Sequence, residues 1–342
     1  MQPDDLQKQL KALEKENKLL SKKLSLCNAQ REDTEIVMNQ TRLLLENVLK
    51  EETLSQLNMF RRFVPQEFLT TLNKKSIIDI YLGDHVEREM TILFSDIRSF
   101  TKLSESMSPE DNFNFINAYL KYIEPGIYKN HGFIDKYIGD AIMALFYSAD
   151  DAIQAGIDML VALYEYNKKR IKKSYVPIQI GIGLHTGSTM IGIIGVEQRM
   201  QSTVISDAVN AASRIESLTK YFDAVLLVSG VTVQKVPKDK YRSRFLGKVK
   251  VVGKNEDLSI FEIIDAETPE VAELKMSSAP FLEKGLDLFF KRKFAEASVE
   301  FTNALGKYPN DKAAMLYLKL CADYMINRPP ENWDATAIFQ SK

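Results

Sequence analysis

Two aspartates stand where a carboxylate can bind a metal ion. Asp96 ends the apolar run 90–95, and Asp140 lies between two short apolar runs, 133–138 and 141–146. Such a pair of runs around Gly-Asp predicts a β-hairpin with Asp140 at its tip. An acid at a strand end and an acid at a hairpin tip can meet in the folded chain. Their like charges would then need a cation, such as Mg²⁺ or Mn²⁺, which indicates phosphate chemistry.

Four separated segments form a pattern that none of them shows alone. They are LFSDIRSFT (93–101), FIDKYIGDAIMALF (133–146), IGIGLHTG (180–187) and DAVNAASR (207–214). In this order they resemble the class III nucleotidyl cyclases, a family that turns ATP or GTP into a 3′,5′-cyclic monophosphate. The resemblance covers about residues 88–265. It implies an α+β domain with a ferredoxin-like, mostly antiparallel sheet and packed helices.

The resemblance implies a set of metal and phosphate contacts. Asp96 and Asp140 would bridge two ions per site, Mg²⁺ or Mn²⁺, with the backbone carbonyl of Ile97 as a further ligand. One ion would lower the pKa of the ribose 3′-hydroxyl, and the other would neutralise charge on the triphosphate. The backbone N–H groups of Phe100 and Thr101 begin a helix after the strand, which favours binding of the β- and γ-phosphates.

Two residues of the fourth segment are candidates for transition-state and ribose contacts. Asn210 and Arg214 lie four residues apart, so a helix projects them from one face. The resemblance implies that Arg214 stabilises charge on the α-phosphoryl group and that Asn210 orients the ribose. The alternative for Arg214 is a surface salt bridge with Glu216 or another neighbour.

Lys136 and Thr203 fall at the positions that select the base. Adenine N1 accepts a hydrogen bond and N6 donates one, which suits a lysine donor with a hydroxyl acceptor. Family members that make cyclic GMP typically carry an acid and a cysteine there. The pair therefore indicates ATP and a phosphorus–oxygen lyase of the adenylate cyclase type. The alternatives are a guanylate cyclase, a weakly active or inactive scaffold module, and, for Thr203, a strand residue without a ligand.

Three positions depart from the family pattern. Val252 stands where relatives usually carry a lysine that contacts the β- and γ-phosphates, and Ser99 and Ser206 stand where many have glycine. Lys250 shares a strand face with Val252, so it is a more plausible substitute than Lys254. We expect weaker ATP binding or lower turnover from this change.

The resemblance also implies a dimer. In the family, the metal site of one subunit faces the base pocket of the other, so a chain with both halves implies a head-to-tail homodimer with two sites. Heptad spacing predicts a parallel coiled coil over residues 1–33, with the seam Leu6, Leu10, Leu13, Asn17, Leu20, Leu24 and Cys27. The alternative is a solvated amphipathic helix that packs on its own chain.

Beyond the coiled coil the chain divides into five segments. They are a helical linker (34–87), the cyclase-like domain (88–265), a Ser/Ala/Pro linker (266–280), a tetratricopeptide-like helical hairpin (281–328) and a tail (329–342). One and a half repeats cannot bury a core alone, so we expect these helices to dock on the cyclase-like domain or on its twin. Binding of a protein partner there is a further possibility.

Periodicity and capping signals predict the elements of the central domain. Ser108 and Pro109 begin one helix, and a second, over about 150–170, ends in the basic run 168–173, interpreted as a solvated terminus that complements the helix dipole. The remaining strands are predicted at about 177–184, 189–194, 201–205, 225–228, 243–248 and 258–263, with helices at 207–220 and 229–235. Short connections between neighbours favour an antiparallel sheet.

Charge and apolar content narrow the class of protein. The 342 residues carry 45 basic and 46 acidic side chains, a net charge of −1, so no overall field favours nucleic acid or an anionic membrane. No apolar run approaches the roughly 18 residues of a membrane helix, and the polar start is not that of a signal peptide. Cys27 and Cys321 offer no disulfide framework or metal spacing. We therefore expect a cytoplasmic protein.

Overall fold

The computed structural model describes residues 13, 15–26, 38–44, 50, 65–250, 257–331 and 333. They belong to two units, Met1–Val64 and Pro65–Lys342.

In the first unit the described residues are helical over 15–26 and 38–44. Leu20 and Leu24 of the predicted seam are more than half exposed. Leu6, Leu10 and Cys27 lie outside the described residues. The coiled coil therefore stays a prediction.

The second unit contains one sheet and the helices that pack on it. Its strands are β1 (His85–Ile97), β2 (Phe133–Ile138), β3 (Ala141–Phe146), β4 (Ile180–Val196), β5 (Arg199–Ile205), β6 (Leu226–Ser229), β7 (Ser243–Lys250) and β8 (Asp257–Ile263). Its helices are α1 (Gln66–Thr71), α2 (Phe100–Ser104), α3 (Pro109–Lys129), α4 (Ala149–Lys172), α5 (Asp207–Phe222), α6 (Gly230–Gln234), α7 (Pro269–Phe290), α8 (Phe294–Lys307) and α9 (Lys312–Ile326). Short 3₁₀ turns occupy Ile77–Asp79 and Ile264–Ala266.

The sheet has the strand order β2-β3-β1-β4-β6-β8-β7, and β5 pairs with β4. Every pairing is antiparallel except that of β4 with β6. The predicted mostly antiparallel α+β fold is confirmed. None of the helices in the described part of the chain is long and apolar enough to cross a membrane.

β1 is central because its side chains are buried on both faces of the sheet. Met90, Ile92 and Phe94 join one core cluster, together with α1 and part of α5. Leu93 and Ile97 point to the opposite face and join a second cluster formed with α3 and α4. The period of two along a strand explains this division. β1 is therefore held from both sides up to the residues that precede the turn at Arg98.

Local signals account for most of the element boundaries. The Ser108 hydroxyl accepts a hydrogen bond from the Asp111 N–H, and Pro109 is the first residue of α3, as predicted. The predicted hairpin is present, with β2 and β3 paired on either side of Asp140.

Two of the predicted strands are wrong as separate elements. The segments 177–184 and 189–194 form parts of the single strand β4, which pairs with β1 without interruption from Ile180 to Gly192. Gly187 resembles a turn residue in the sequence. In the structure it makes room for α5, because a Cβ there would lie 2.9 Å from the Cβ of Ala208.

The predicted linker 266–280 is also wrong. Residues 269–290 form the single helix α7, which contains Pro280. A proline in a helix interior removes one backbone hydrogen bond, but Ser278, Ala279 and Leu282 around it are fully or almost fully buried. Tertiary packing therefore outweighs the local cost. The C-terminal segment consists of three helices, α7, α8 and α9, as one and a half repeats would supply, and its tetratricopeptide-like character stays a prediction.

A buried ion network attaches the C-terminal helices to the sheet, as expected for a docked segment. Arg244 on β7 donates to the carboxylates of Glu262 on β8 and Asp311 before α9, at 2.6 Å each. Lys275 on α7 contacts Glu262 at 2.6 Å and also pairs with Glu267. Every charged group in this network has a partner of opposite charge. The apolar part of the interface is a cluster that includes Leu246, Phe289, Phe301 and Tyr317.

We predict that Arg244→Leu destabilises the chain by about 3–5 kcal/mol, because it leaves two carboxylates buried without their guanidinium. The measurement is urea unfolding followed by circular dichroism. Arg242→Leu is the matched control, since Arg242 forms a half-exposed pair with Asp265 and should cost less than about 1 kcal/mol. Equal effects of the two substitutions would contradict the prediction.

Candidate active site

Asp96 and Asp140 meet beside the tip of the β2–β3 hairpin. Ser95 on β1 pairs with Ile142 on β3, so the next residue of β1 lies next to the tip. Burial, followed by the charge of Asp96 and a hydrogen bond with it, raises the pKa of Asp140 to about 6. The backbone N–H groups of Asp140 and Ile97 act in the opposite direction. The predicted convergence of the two acids is therefore present.

The pair has the donor set that a divalent cation needs. Asp140 Oδ2 is buried and accepts no hydrogen bond from any described donor. A buried carboxylate oxygen without a donor needs a proton or a cation. No group of three or more His, Cys, Asp or Glu side chains suited to a metal occurs in the described ranges. Further ligands would then be backbone or substrate oxygens, which fits the predicted role of the Ile97 carbonyl.

Two basic residues near the acids were missed by the sequence analysis. Lys220 on α5 lies 3.2 Å from Asp96 Oδ2, and it supplies a positive charge to the pair. Arg98, two residues after Asp96, donates to the backbone carbonyls of Thr219 and Ala224 at the end of α5. These contacts attach α5 to the turn that follows β1. They join residues more than 100 positions apart, and no local pattern signals them.

The glycines of the third segment bring α5 onto β4. A Cβ at position 183 would lie 2.6 Å from the carbonyl oxygen of Ala212, and one at position 181 would lie 2.8 Å from Glu216 Oε1. Glu216 is buried there, and burial raises its pKa to about 7. The alternative in which Glu216 pairs with Arg214 is therefore not present.

Arg214 and Asn210 are available on the surface of α5. Asn210 is exposed and Arg214 is partly exposed. Neither side chain has an ion pair or hydrogen bond within the described residues. Their roles toward ribose and phosphate stay predictions.

Helix geometry separates Arg214 from the acids of its own chain. Lys220 faces Asp96, and Arg214 lies six residues earlier on α5. Six residues correspond to about 600° of rotation, or about 120° between the two directions, and to about 9 Å along the axis. Arg214 therefore points to a different side of α5 from the one that faces Asp96.

Lys136 and Thr203 are brought together, although β2 and β5 are not neighbours in the sheet. Lys136 Nζ donates to Thr203 Oγ1 at 3.3 Å. The same ammonium lies 3.3 Å from Asp135 Oδ2. The pair predicted to select the base thus forms one small polar cluster, and its function stays a prediction.

Asp135 is a third residue that the sequence analysis missed. Its side chain is 1% exposed, and neither of its carboxylate oxygens has a hydrogen-bond partner within the described part of the chain. Burial raises its pKa, and Lys136 lowers it. The β2–β3 register shifts between Ile134 and Lys136, so a bulge turns Asp135 inward. An acid in a strand whose other residues are apolar, apart from Lys136, was the available signal.

The remaining predictions concern residues that would contact the phosphates. Phe100 and Thr101 are the first residues of α2, so their N–H groups have no partner within the helix. Ser99 before them has a left-handed backbone with φ of 57°, which explains why glycine suits this position. Lys250 ends β7, and Val252 and Lys254 lie outside the described residues. The phosphate contacts of Phe100, Thr101 and Lys250 stay predictions.

Comparisons with known proteins agree with this geometry. The family model described as "Adenylate and Guanylate cyclase catalytic domain" matches residues 84–264. A Dictyostelium discoideum protein named "Adenylate cyclase, terminal-differentiation specific" is 37% identical over 272 residues, which is 77% of this chain and 13% of that protein. An Anabaena cylindrica protein named "Adenylate cyclase" is 44% identical over 215 residues, 60% of this chain and 43% of that protein. The chain therefore spans less than half the length of either relative.

A solved structure supports the fold. The structure of a bacterial light-regulated adenylyl cyclase superposes with a TM-score of 0.57 at 23% identity, and it covers 67% of this chain and 68% of that one.

We predict that Asp140→Asn stabilises the metal-free chain at pH 8, because it removes a partly buried negative charge that Asp96 also repels. The pKa of Asp140 is about 6 in the folded chain against an ordinary 3.8, so the destabilisation develops as the pH rises from about 4 to about 6. Solvent screening at this partly exposed group reduces it to roughly 1 kcal/mol, or about 2 °C in Tm. The gain should vanish near pH 4.

The measurement is thermal unfolding in the presence of a chelator. Glu197→Gln, an exposed substitution in the β4–β5 turn, is the control and should leave Tm unchanged. Adding Mn²⁺ should then stabilise the natural chain but not Asp140→Asn. A lower Tm of Asp140→Asn at pH 8 would show that the two carboxylates do not repel each other.

Proposed function

The chain belongs to the adenylate and guanylate cyclase catalytic-domain family, and on this basis we propose that it is an adenylate cyclase that converts ATP to 3′,5′-cyclic AMP and pyrophosphate. The single observation that carries the proposal is the meeting of Asp96 and Asp140, with a buried carboxylate oxygen that has no donor among the residues that the structure describes. The names of the Dictyostelium and Anabaena relatives support the choice of reaction.

Asp96, Asp140 and the Ile97 carbonyl would hold two divalent ions, Mg²⁺ or Mn²⁺. Ions bound there would lower the pKa of the ribose 3′-hydroxyl and neutralise charge on the triphosphate. Lys220 would release the Asp96 carboxylate when the ions bind. Its side chain is half exposed, so it can turn toward solvent.

The other residues bind and orient the nucleotide. The N–H groups of Phe100 and Thr101, assisted by Lys250, would donate hydrogen bonds to oxygens of the β- and γ-phosphates. Asn210 would hold the ribose, so that its 3′-oxygen faces the α-phosphorus. Arg214 would donate to the α-phosphoryl oxygens, where negative charge grows as the P–O bond to pyrophosphate breaks.

Lys136 and Thr203 favour ATP over GTP. The Lys136 ammonium would donate to adenine N1, and the Thr203 hydroxyl would accept from N6. Their 3.3 Å contact supports a common role for the two side chains. A guanine edge presents N1–H and N2–H₂ as donors and would need a carboxylate acceptor.

We further infer a head-to-tail homodimer with two shared sites. The direction of Arg214, about 120° from the side of α5 that faces Asp96, supports completion of each site by the partner subunit. A parallel coiled coil at the N-terminal end would raise the effective concentration of the two domains. Because the substrate is ATP, we place the activity in the cytoplasm.

The test is product identification with purified chain, Mn²⁺ or Mg²⁺, and ATP or GTP. We expect cyclic AMP and pyrophosphate from ATP, and a loss of at least about 10³-fold in kcat for Asp96→Ala, because the metal pair loses a bridging ligand. Mixing Asp140→Ala chains with Arg214→Ala chains should restore activity that neither has alone. Cyclic GMP as the main product, or no product with either nucleotide, would overturn the proposal in favour of a guanylate cyclase or a scaffold.

We predict that Asp135→Asn raises KM for ATP about tenfold with kcat within about twofold, because the neutral amide no longer fixes the Lys136 ammonium toward the base. Steady-state kinetics and thermal unfolding measure this. Asp158→Asn is the control, since Asp158 on α4 pairs with Lys129 on α3 and with neither Lys136 nor Thr203, and it should leave KM unchanged. A fall in kcat with an unchanged KM would contradict this positioning role.

A further inference from the structure

A cleft separate from the site of Asp96 and Asp140 lies between α2, α3, the end of α4 and the turn after α4. Its volume is about 980 Å³, which is in the range of pockets for small organic ligands. We call it the basic cleft, and it is lined by Leu103, Ser106, Met107, Asp111, Asn114, Phe115, Ala118, Tyr122, Tyr166, Lys169, Arg170, Lys172, Lys173, Ser174, Tyr175 and Val176. None of these residues belongs to the site of Asp96 and Asp140.

The interpretation of the run 168–173 as a solvated helix end is wrong for its central arginine. Arg170 is 7% exposed, and its guanidinium lies over the rings of Phe115, Tyr166 and Tyr175, at 4.9, 5.7 and 5.6 Å from their centroids. Its Nε donates to the carbonyl of Val176 at 2.8 Å. Tyr166 lies one turn before Arg170 on α4, whereas Phe115 comes from α3 and Tyr175 from the turn after α4, so the basic run alone does not reveal the whole aromatic cluster.

The guanidinium lacks the partner that buried arginines usually have. No carboxylate forms an ion pair with Arg170 within residues 65–250 and 257–331. Buried charges in proteins are normally paired, as Arg244 is in this chain. The terminal nitrogens of Arg170 form no hydrogen bond with a residue that the structure describes, and neither is fully enclosed, so both can reach a molecule in the cleft that Arg170 lines.

The other charged side chains around the cleft do not neutralise the positive charge of Arg170. Lys169 donates to the Tyr122 hydroxyl at 2.8 Å, and Lys172 and Lys173 form no ion pair with residues that the structure describes. Asp111 is the acid of the lining, and its carboxylate accepts from the Ser108 hydroxyl at 2.7 Å. Four cations and one occupied carboxylate therefore surround a space walled by aromatic and aliphatic side chains.

We propose that the basic cleft binds a small organic anion, a carboxylate or phosphate attached to a flat apolar or aromatic body. Arg170 would form paired hydrogen bonds with the anionic group. Lys172 and Lys173 would attract it at the rim, and Leu103, Met107 and the aromatic rings would contact its body. This site is independent of the cyclase reaction, so its test does not depend on the proposed function.

The test uses two fluorescent probes that differ only in charge. Dansylglycine carries a carboxylate on a naphthalene body, and dansylglycinamide is its neutral counterpart. With the full chain, we expect saturable binding of one dansylglycine per chain and at least about tenfold weaker binding of the amide, which is about 1.4 kcal/mol. Inorganic phosphate, an anion without an apolar body, should compete weakly.

A matched pair of variants locates the binding. Ala118→Trp places a large ring in the cleft without a change of charge, and Asn117→Trp places the same ring on the adjacent exposed position of α3 outside it. Ala118→Trp should weaken dansylglycine binding at least about tenfold, and Asn117→Trp should not. Lys173→Gln, at the exposed rim, should weaken it less.

Three results would overturn the proposal. They are absence of saturable dansylglycine binding, equal binding of the two probes, and equal effects of Ala118→Trp and Asn117→Trp. Circular dichroism of each variant verifies that it is folded. Since Ala118 and Asn117 are both exposed in α3, neither substitution has to disturb the core.

Discussion

The close approach of α5 to β4 is the constraint on which the site depends. Gly181 and Gly183 leave no side chain between the helix and the strand, and a Cβ at either position would overlap atoms of α5. On this surface α5 holds Asn210 and Arg214 toward one side and Lys220 toward Asp96. Arg98 fixes the end of the same helix to the turn after β1. A bulkier strand residue would displace all of these groups together, because they share one rigid helix.

Buried charges in this chain fall into two kinds. In the network of Arg244, Glu262 and Lys275, each group has a partner of opposite charge. These pairs attach the C-terminal helices to the sheet. Asp140 and Arg170 are different, because Asp140 Oδ2 has no hydrogen-bond partner, and the Arg170 guanidinium no carboxylate partner, among the described residues. An unsatisfied buried group is costly in a folded chain. It is therefore a good indicator of where a cation or an anion from outside completes the structure.

The sequence predicted those parts of the site that depend on local pattern. The hairpin with Asp140 at its tip, the N-cap at Ser108 and the common face of Asn210 with Arg214 all follow from turn chemistry, capping and helix period. A common role of Lys136 and Thr203 in base selection was expected only through resemblance to the family, and their direct contact was not predicted. Lys220, Asp135 and Arg170 could not be predicted in their roles, since their partners come from distant segments or from a β-bulge. The linker predicted around Pro280 was wrong for a related reason, because tertiary packing around α7 outweighs the local preference of proline for a helix break.

The attachment of the C-terminal helices has a consequence for how this chain can be cut and recombined. The family domain ends near residue 264, yet the apolar cluster beneath β7 and β8 takes Leu282, Phe289 and Phe301 from beyond that point. Suppose that the domain is fused to a light or ligand sensor and is cut at the family boundary near residue 264. Glu262 and Arg244 would then face water, next to apolar strand residues that have lost their packing partners. The unit that can be transplanted intact therefore extends at least through α9.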